Sequence, residues 1–197
     1  MIVATTNEGK MKEIRAILGD IGEEILSLKD AGIKADIVED GSTFEENAMI
    51  KARAICKLTG QMALADDSGL EVDALNKEPG IYSARYLGED TSYEIKNRNI
   101  IERLQGVEGE ARSGRFVCAI AAAFPDGECI TTRGTIEGLI TKEPKGETGF
   151  GYDPIVYVPE YGMTTGEMDP EEKNKISHRG KALTAMKKIL EERGIIR

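Results

Sequence analysis

Apolar residues recur along this chain in short runs separated by amphipathic stretches, and the alternation sets out a sequence of elements. Residues 1–5 form an apolar run that reads as a strand, after which Met11, Ile14 and Leu18 fall at helical spacing over residues 7–18 with Gly19 as a stop. Thr43 and Glu46 make a T-x-x-E capping box, followed by an apolar face of Phe44, Ala48, Ala52 and Ile55 that ends at Gly60. Residues 62–65 read as a strand running into ADDSG, and Thr91 with Glu94 repeats the capping pattern for a helix through Leu104. Residues 115–124 and 128–140 read as two strands joined by a turn at Pro125, Asp126 and Gly127. A further strand spans 155–158, and 181–193 closes the chain as an amphipathic helix with Leu183, Met186, Ile189 and Leu190 inward. Strands alternating with helices, interrupted by one hairpin, predict an α/β fold with a mixed sheet. No repeat, low-complexity tract or long linker divides the chain, so a single domain over residues 1–197 is expected.

Composition narrows the class. At 197 residues with 40% hydrophobic positions, the chain buries a core without a disulfide frame or structural metal, and with no Trp that core is mainly aliphatic. No apolar run approaches the roughly 18 residues of a membrane span, and the start lacks the charged-then-apolar pattern of a signal peptide. A net charge of −9 argues against a protein that grips a nucleic-acid backbone, though a small phosphorylated ligand needs only a few local cations. Cys56, Cys118 and Cys129 show no CxxC spacing and read as reduced thiols of a cytoplasmic protein, with Cys118 in the apolar run FVCAIAAAF as core packing.

Four segments carry candidate chemistry. Thr5, Thr6, Asn7, Glu8, Gly9 and Lys10 form a strand-to-helix turn, where backbone N–H groups and the helix dipole suit an anion; an ordinary capped helix start would look the same. The segment is not a Walker A loop. Asp66 and Asp67 are adjacent carboxylates that repel unless cations or donors compensate them, which Mg²⁺ does naturally, although Asp, Ser and Gly also make plain turns. Glu39 and Asp40 add acids before the second helix, where a solvated loop is the simpler reading. GETGFGYDP brings glycines for close backbone approach and two rings, Phe150 and Tyr152, to present to a base; a plain loop has the same composition. KNKISHRGK carries the only histidine, His178, among lysines and Arg179, a basic patch in an acidic protein. Together these features point to a metal-dependent enzyme acting on a nucleotide.

Read in order, TTNEGKMKEI, EDGSTFEENAMIKA, ADDSGLEVDAL, PGIYSARY, GFGYDP and EEKNKISHRGKAL resemble the motifs of the XTP/dITP diphosphatases, also called inosine triphosphate pyrophosphatases, over residues 5–183. The resemblance implies hydrolysis of ITP, dITP and XTP to the monophosphate and pyrophosphate, which removes deaminated purine nucleotides from the pool. It also implies two lobes around a long, mixed, twisted sheet flanked by helices, with the active-site cleft between them, and a cytoplasmic homodimer using Mg²⁺. By the same resemblance, residues 5–10 cradle the triphosphate and Asp67 is the general base and a metal ligand supported by Asp66. Glu39 is the second metal carboxylate, and Ser68 contacts substrate. Phe150, Gly151, Tyr152 and Asp153 match the base pocket, and Lys173, His178 and Arg179 the basic substrate contacts.

The mechanism so implied is in-line attack of water on the α-phosphorus with pyrophosphate leaving. A donor to the 6-oxo edge of the base, from Arg179 or a backbone N–H near it, would reject ATP, since a site built to bind one group rejects an analogue lacking it by roughly 10⁴–10⁵-fold. Two competing readings are a Maf-like pyrophosphatase of pyrimidine or modified nucleotides, which the ISHRGKAL segment opposes, and a nucleotide-binding module without turnover, which Glu39 and the Asp66–Asp67 pair oppose.

Overall fold

The computed structural model describes all residues, Met1–Arg197. Seven strands form one sheet in the order β2-β1-β3-β4-β5-β6-β7, made of β1 (Ile2–Val3), β2 (Leu26–Ser27), β3 (Ala63–Val72), β4 (Ser113–Ala123), β5 (Cys129–Ile140), β6 (Val156–Val158) and β7 (Met163–Thr164). β1 runs parallel to β2 and β3, with Ile2 opposite Leu26 and Ala63, while β5–β6 and β6–β7 are antiparallel. The helices are α1 (Glu8–Leu18), α2 (Phe44–Thr59), α3 (Tyr93–Arg103), α4 (Pro170–Ile176) and α5 (His178–Glu192). The fold is therefore α/β with a mixed sheet, as the alternation predicted. None of its helices is long and apolar enough to cross a membrane.

The chain separates into two compact units. The first comprises Met1–Asp67, Cys118–Gly134 and His178–Arg197, and the second comprises Ser68–Val117 and Thr135–Ser177. In the first unit, Met11, Ile14 and Leu18 of α1 share a core with Leu183, Met186 and Leu190 of α5 and with Leu64 and Ile120 of the sheet. In the second, Leu70, Ile100, Leu104, Phe116, Ile140 and Val156 do the same. Both cores are built largely from aliphatic side chains, as the composition requires.

Local chemistry sets the helix ends, with some differences from expectation. Asn7 caps α1 and Gly60 ends α2 in the left-handed conformation. Thr43 caps α2 by accepting from the Glu46 N–H at 3.1 Å, and the Glu46 carboxylate reaches back to the Thr43 backbone, as a capping box requires, while also accepting from the Ser42 N–H and hydroxyl. The cap of α3 is Ser92, not Thr91, whose hydroxyl donates instead to the Leu87 carbonyl at 2.6 Å. β2 and β7 have two residues each, too few to show a period. α5 begins at His178, three residues earlier than its apolar pattern, so His178 and Arg179 are helical. There β5 passes so close that a Cβ on Gly134 would lie 2.2 Å from the His178 carbonyl oxygen, which restricts the position to glycine.

Candidate active site

The carboxylate pair is not in a turn. β3 continues through Ala65, Asp66, Asp67, Ser68 and Gly69 to Val72, so the two acids sit in the middle of a strand. Turn-forming composition is overridden here by tertiary compensation. Successive side chains of a strand point to opposite faces, and the two carboxylates accordingly meet different surroundings.

Asp66 is fully buried and fully partnered. Its Oδ2 accepts from Arg179 Nε at 2.9 Å and from the Cys118 thiol at 3.0 Å, and its Oδ1 pairs with Lys10 Nζ at 2.5 Å. Arg179 also pairs through Nη1 with Glu13 of α1. Burial by itself would raise the Asp66 pKa, but Arg179 and Lys10 overcome it and hold the carboxyl well below the usual range. The same burial, with Asp66 alongside, pushes the Cys118 thiol up, so that it stays a protonated donor. Cys118 was expected as plain packing; it also holds Asp66.

Asp67 is buried with less support. Its Oδ1 lies 3.4 Å from Lys51 Nζ, and its Oδ2 has no hydrogen-bond partner. Burial pushes its pKa up to about 6, with Lys51 and Lys10 pulling down and Asp66 and Glu39 adding to the rise. Lys51 Nζ also pairs with Glu39 at 2.9 Å and donates to the Asp66 carbonyl at 2.7 Å. Desolvation would weaken its charge, but Asp67 and Glu39 outweigh that and raise its pKa. Glu39, Asp66, Asp67 and Glu13 thus face the cations Lys10, Lys51 and Arg179, which leaves one negative charge over when all are ionised.

The donor set suits a small divalent cation. Glu39 and Asp67 converge on the same ammonium group, and one Asp67 oxygen is buried without a partner. No three acidic, His or Cys side chains converge as a complete protein cage. Mg²⁺ needs none, because it takes one or two carboxylates and leaves its other positions to water and phosphate oxygens.

Beside this cluster stands the turn that leads from β1 into α1. Asn7 Oδ1 accepts from the Lys10 N–H at 3.0 Å, and the Asn7 N–H donates to Thr5 Oγ1 at 3.1 Å, while Thr6, Asn7 and Glu8 face solvent. The turn is thus a capped helix start whose lysine reaches a buried carboxylate.

In the second unit, the segment Gly149 to Asp153 is pinned from several sides. Asp153 accepts from the Phe150 N–H at 2.9 Å, from Thr165 Oγ1 at 2.8 Å and from Lys173 Nζ at 2.7 Å. A Cβ on Gly149, at φ +73°, would lie 2.1 Å from Asp153 Oδ2, so only glycine allows this close loop. Lys173 Nζ stands 5.2 Å from the centre of the Phe150 ring. Tyr152 is buried, its hydroxyl donating to the Ser83 carbonyl at 2.6 Å. The expectation that either ring stacks on a base therefore narrows to Phe150, which is half-buried. Ser68 is the half-buried first residue of this unit.

The basic segment 173–181 is not an exposed patch. Lys173, His178 and Arg179 are all buried, the first paired with Asp153 and the last with Asp66 and Glu13; Lys175 and Lys181 alone among its basic residues face solvent. Arg179 Nε and Nη1 are thereby committed to carboxylates, which shifts the expected donor for a 6-oxo group from this side chain to the backbone at the start of α5. Sequence reasoning also missed Lys51, Glu13 and Asn97. Lys51 borders the apolar face of α2, a position that offers a weak signal; Glu13 and Asn97 give none.

The mixed sheet and its two buried carboxylates, one fully compensated and one not, define an α/β protein with a buried acidic centre. Comparison with known proteins gives the family. The model of the Ham1 family matches residues 1–189, and the chain belongs to that family. It is 48% identical over 192 residues to the dITP/XTP pyrophosphatase of Bacillus licheniformis, covering 98% of each chain. It is 47% identical over 190 residues to the dITP/XTP pyrophosphatase of Bacillus subtilis, covering 96% of each. Among solved structures, it matches a HAM1 protein from Coxiella burnetii at 42% identity and a TM-score of 0.88, over 97% of this chain and 98% of that one. The Staphylococcus aureus Ham1 protein matches at 40% identity and a TM-score of 0.87, over 98% of both chains.

Proposed function

We propose that this protein is a nucleoside-triphosphate diphosphatase that hydrolyses dITP, ITP and XTP to the monophosphate and pyrophosphate, acting as a cytoplasmic homodimer. The observation that carries the reading is Asp67. A buried carboxylate with a pKa pushed up to about 6 and an oxygen without a partner is matched to accepting a proton near neutral pH. The names and the extent of the relatives support the substrate class.

In this reading Asp67 takes a proton from the water that attacks the α-phosphorus, and the bond to pyrophosphate breaks. General-base help of this kind is typically worth 10²–10⁴-fold in rate. Glu39 and Asp67 would hold Mg²⁺, which offsets the charge of the phosphate oxygens when bound. Lys51, which pairs with both carboxylates, keeps them together. Residues 5–10 receive the triphosphate on the first turn of α1, with Lys10 tied to the site through Asp66. Ser68 adds a hydroxyl contact. Phe150 presents its ring to the base, Lys173, Gly151, Tyr152 and Asp153 fix that ring in place, and the backbone at His178 and Arg179 supplies the donor to the 6-oxo group.

Product analysis tests this. The purified protein with Mg²⁺ is incubated in parallel with ITP, XTP, dITP, ATP, GTP and dTTP. The expected products are monophosphate and pyrophosphate from the first three, with little turnover of the others. Release of single phosphate would move the attack to the γ-phosphorus and contradict the reading. Binding without turnover of any nucleotide would replace the enzyme with a binding module.

A further inference from the structure

Helix α3 grips the Phe150 loop from beneath through Asn97. The Asn97 side chain is 4% exposed, and its Nδ2 donates to the Gly151 carbonyl at 3.1 Å. Turned the other way, the amide would set two acceptors against each other, so the bond fixes its orientation. The other amide atom, Oδ1, is buried without a hydrogen-bond partner. A buried, unpaired acceptor costs stability, and an apolar side chain of similar volume would avoid that cost. What asparagine supplies here, and leucine does not, is the hold on Gly151.

That hold is one of several onto the same short stretch. Tyr93, one turn earlier on α3, lies 3.6 Å from where a Cβ of Gly151 would be and packs edge-on against Tyr152, ring centres 5.1 Å apart. Gly151 sits at φ +65°. Its carbonyl is held by the Asn97 amide. Phe150 immediately precedes this glycine.

We propose that Asn97 is a positioning residue for nucleobase binding: by fixing the Gly151 carbonyl it sets the place of the Phe150 ring. The proposal rests on the reading of residues 149–153 as the base-contacting segment given above. It deepens that reading by placing part of the control of base binding on Asn97 of α3.

The test compares Asn97→Leu, Asn97→Ala and Phe150→Ala with the wild type, measuring kcat and KM for dITP and the thermal midpoint. Loss of the Gly151 bond should raise KM about tenfold in both Asn97 variants. With the catalytic carboxylates untouched, kcat should stay within about twofold. The midpoint of Asn97→Leu should stay close to that of the wild type, because the unpaired acceptor of residue 97 is gone while the Gly151 carbonyl loses its donor. If Asn97→Leu fails to fold, the KM-against-kcat split in Asn97→Ala, read well below its midpoint, decides. A rise in KM for Phe150→Ala with none for either Asn97 variant would overturn the positioning role and leave the base-loop reading standing. A rise in KM for Asn97→Leu accompanied by a matching loss of kcat and a much lower midpoint would make the residue merely structural. No change in KM for Phe150→Ala would overturn the base-loop reading and the proposal with it.

Discussion

On one face of β3, Asp66 meets Arg179, Lys10 and the Cys118 thiol, and its carboxyl stays ionised far into acid. On the other face, one residue along, Asp67 has Lys51 at 3.4 Å and an oxygen with no partner, and titrates near pH 6. The residues are chemically identical and both are buried, so the difference lies in the partners each face provides. Where charge is compensated in full, the carboxylate ties α1, β4 and α5 to the strand. Where compensation is incomplete, the folded state bears a cost, and the group is left able to exchange a proton. Asn97 repeats the second pattern on a smaller scale, with one amide atom bonded to a loop and the other left unpaired.

Breaking the Asp66 face should cost the most stability. Arg179→Met leaves Asp66 and Glu13 buried with too few cations and should lower unfolding free energy by about 3–5 kcal/mol, read by urea denaturation. Adding Asp66→Asn in the same chain should recover part of that loss, because the stranded charge is then removed. A double variant as unstable as the sum of the two singles would break the comparison on this side.

On the Asp67 face, pH should expose the opposite sign. The folded carboxyl has a pKa of about 6 and the unfolded one about 3.9, so between these values the folded state binds more protons. Stability from this group is therefore highest below pH 4 and falls as pH rises through 6, by about 2–3 kcal/mol. Unfolding of metal-free, nucleotide-free protein across pH 4–8 measures it, and Asp67→Asn should remove this component. Lys51→Met should move the inflection upward by about one pH unit, since it removes the opposing charge nearest Asp67. The smallest effect belongs to Cys118→Ala, about 1–2 kcal/mol, because Lys10 and Arg179 still hold Asp66.

Much of this was legible in the chain, and the limits follow from sequence distance. Helix caps such as Asn7 and Thr43, the hairpin around Gly127, and the turn at residues 5–10 depend on neighbours within a few positions, so the pattern reveals them. The motifs around Asp67 and Phe150 carried the family. The placement of the carboxylates stayed open between a strand end and a turn, because an Asp-Asp-Ser-Gly run looks like a turn until its compensating charges are known. Those charges come from far away: Arg179 is 113 positions from Asp66, and Arg179 and Glu13 are 166 apart. Burial of Lys173 and Arg179 was invisible for the same reason, since a run of cations reads as solvated until its carboxylate partners are placed. Asn97 and Gly151, 54 positions apart, leave no local trace of their bond.

The most direct test of the contrast between the two faces is the steady-state kcat of Asp67→Asn on dITP, followed as pyrophosphate release at saturating Mg²⁺, with thermal unfolding of the same sample. The substitution keeps the shape and removes both the base and the unbalanced charge. The account predicts a fall in kcat of about 10²–10⁴-fold with a midpoint at neutral pH no lower than that of the wild type. Turnover close to wild type would contradict it, because the incompletely compensated carboxylate would then not be the group that does the chemistry.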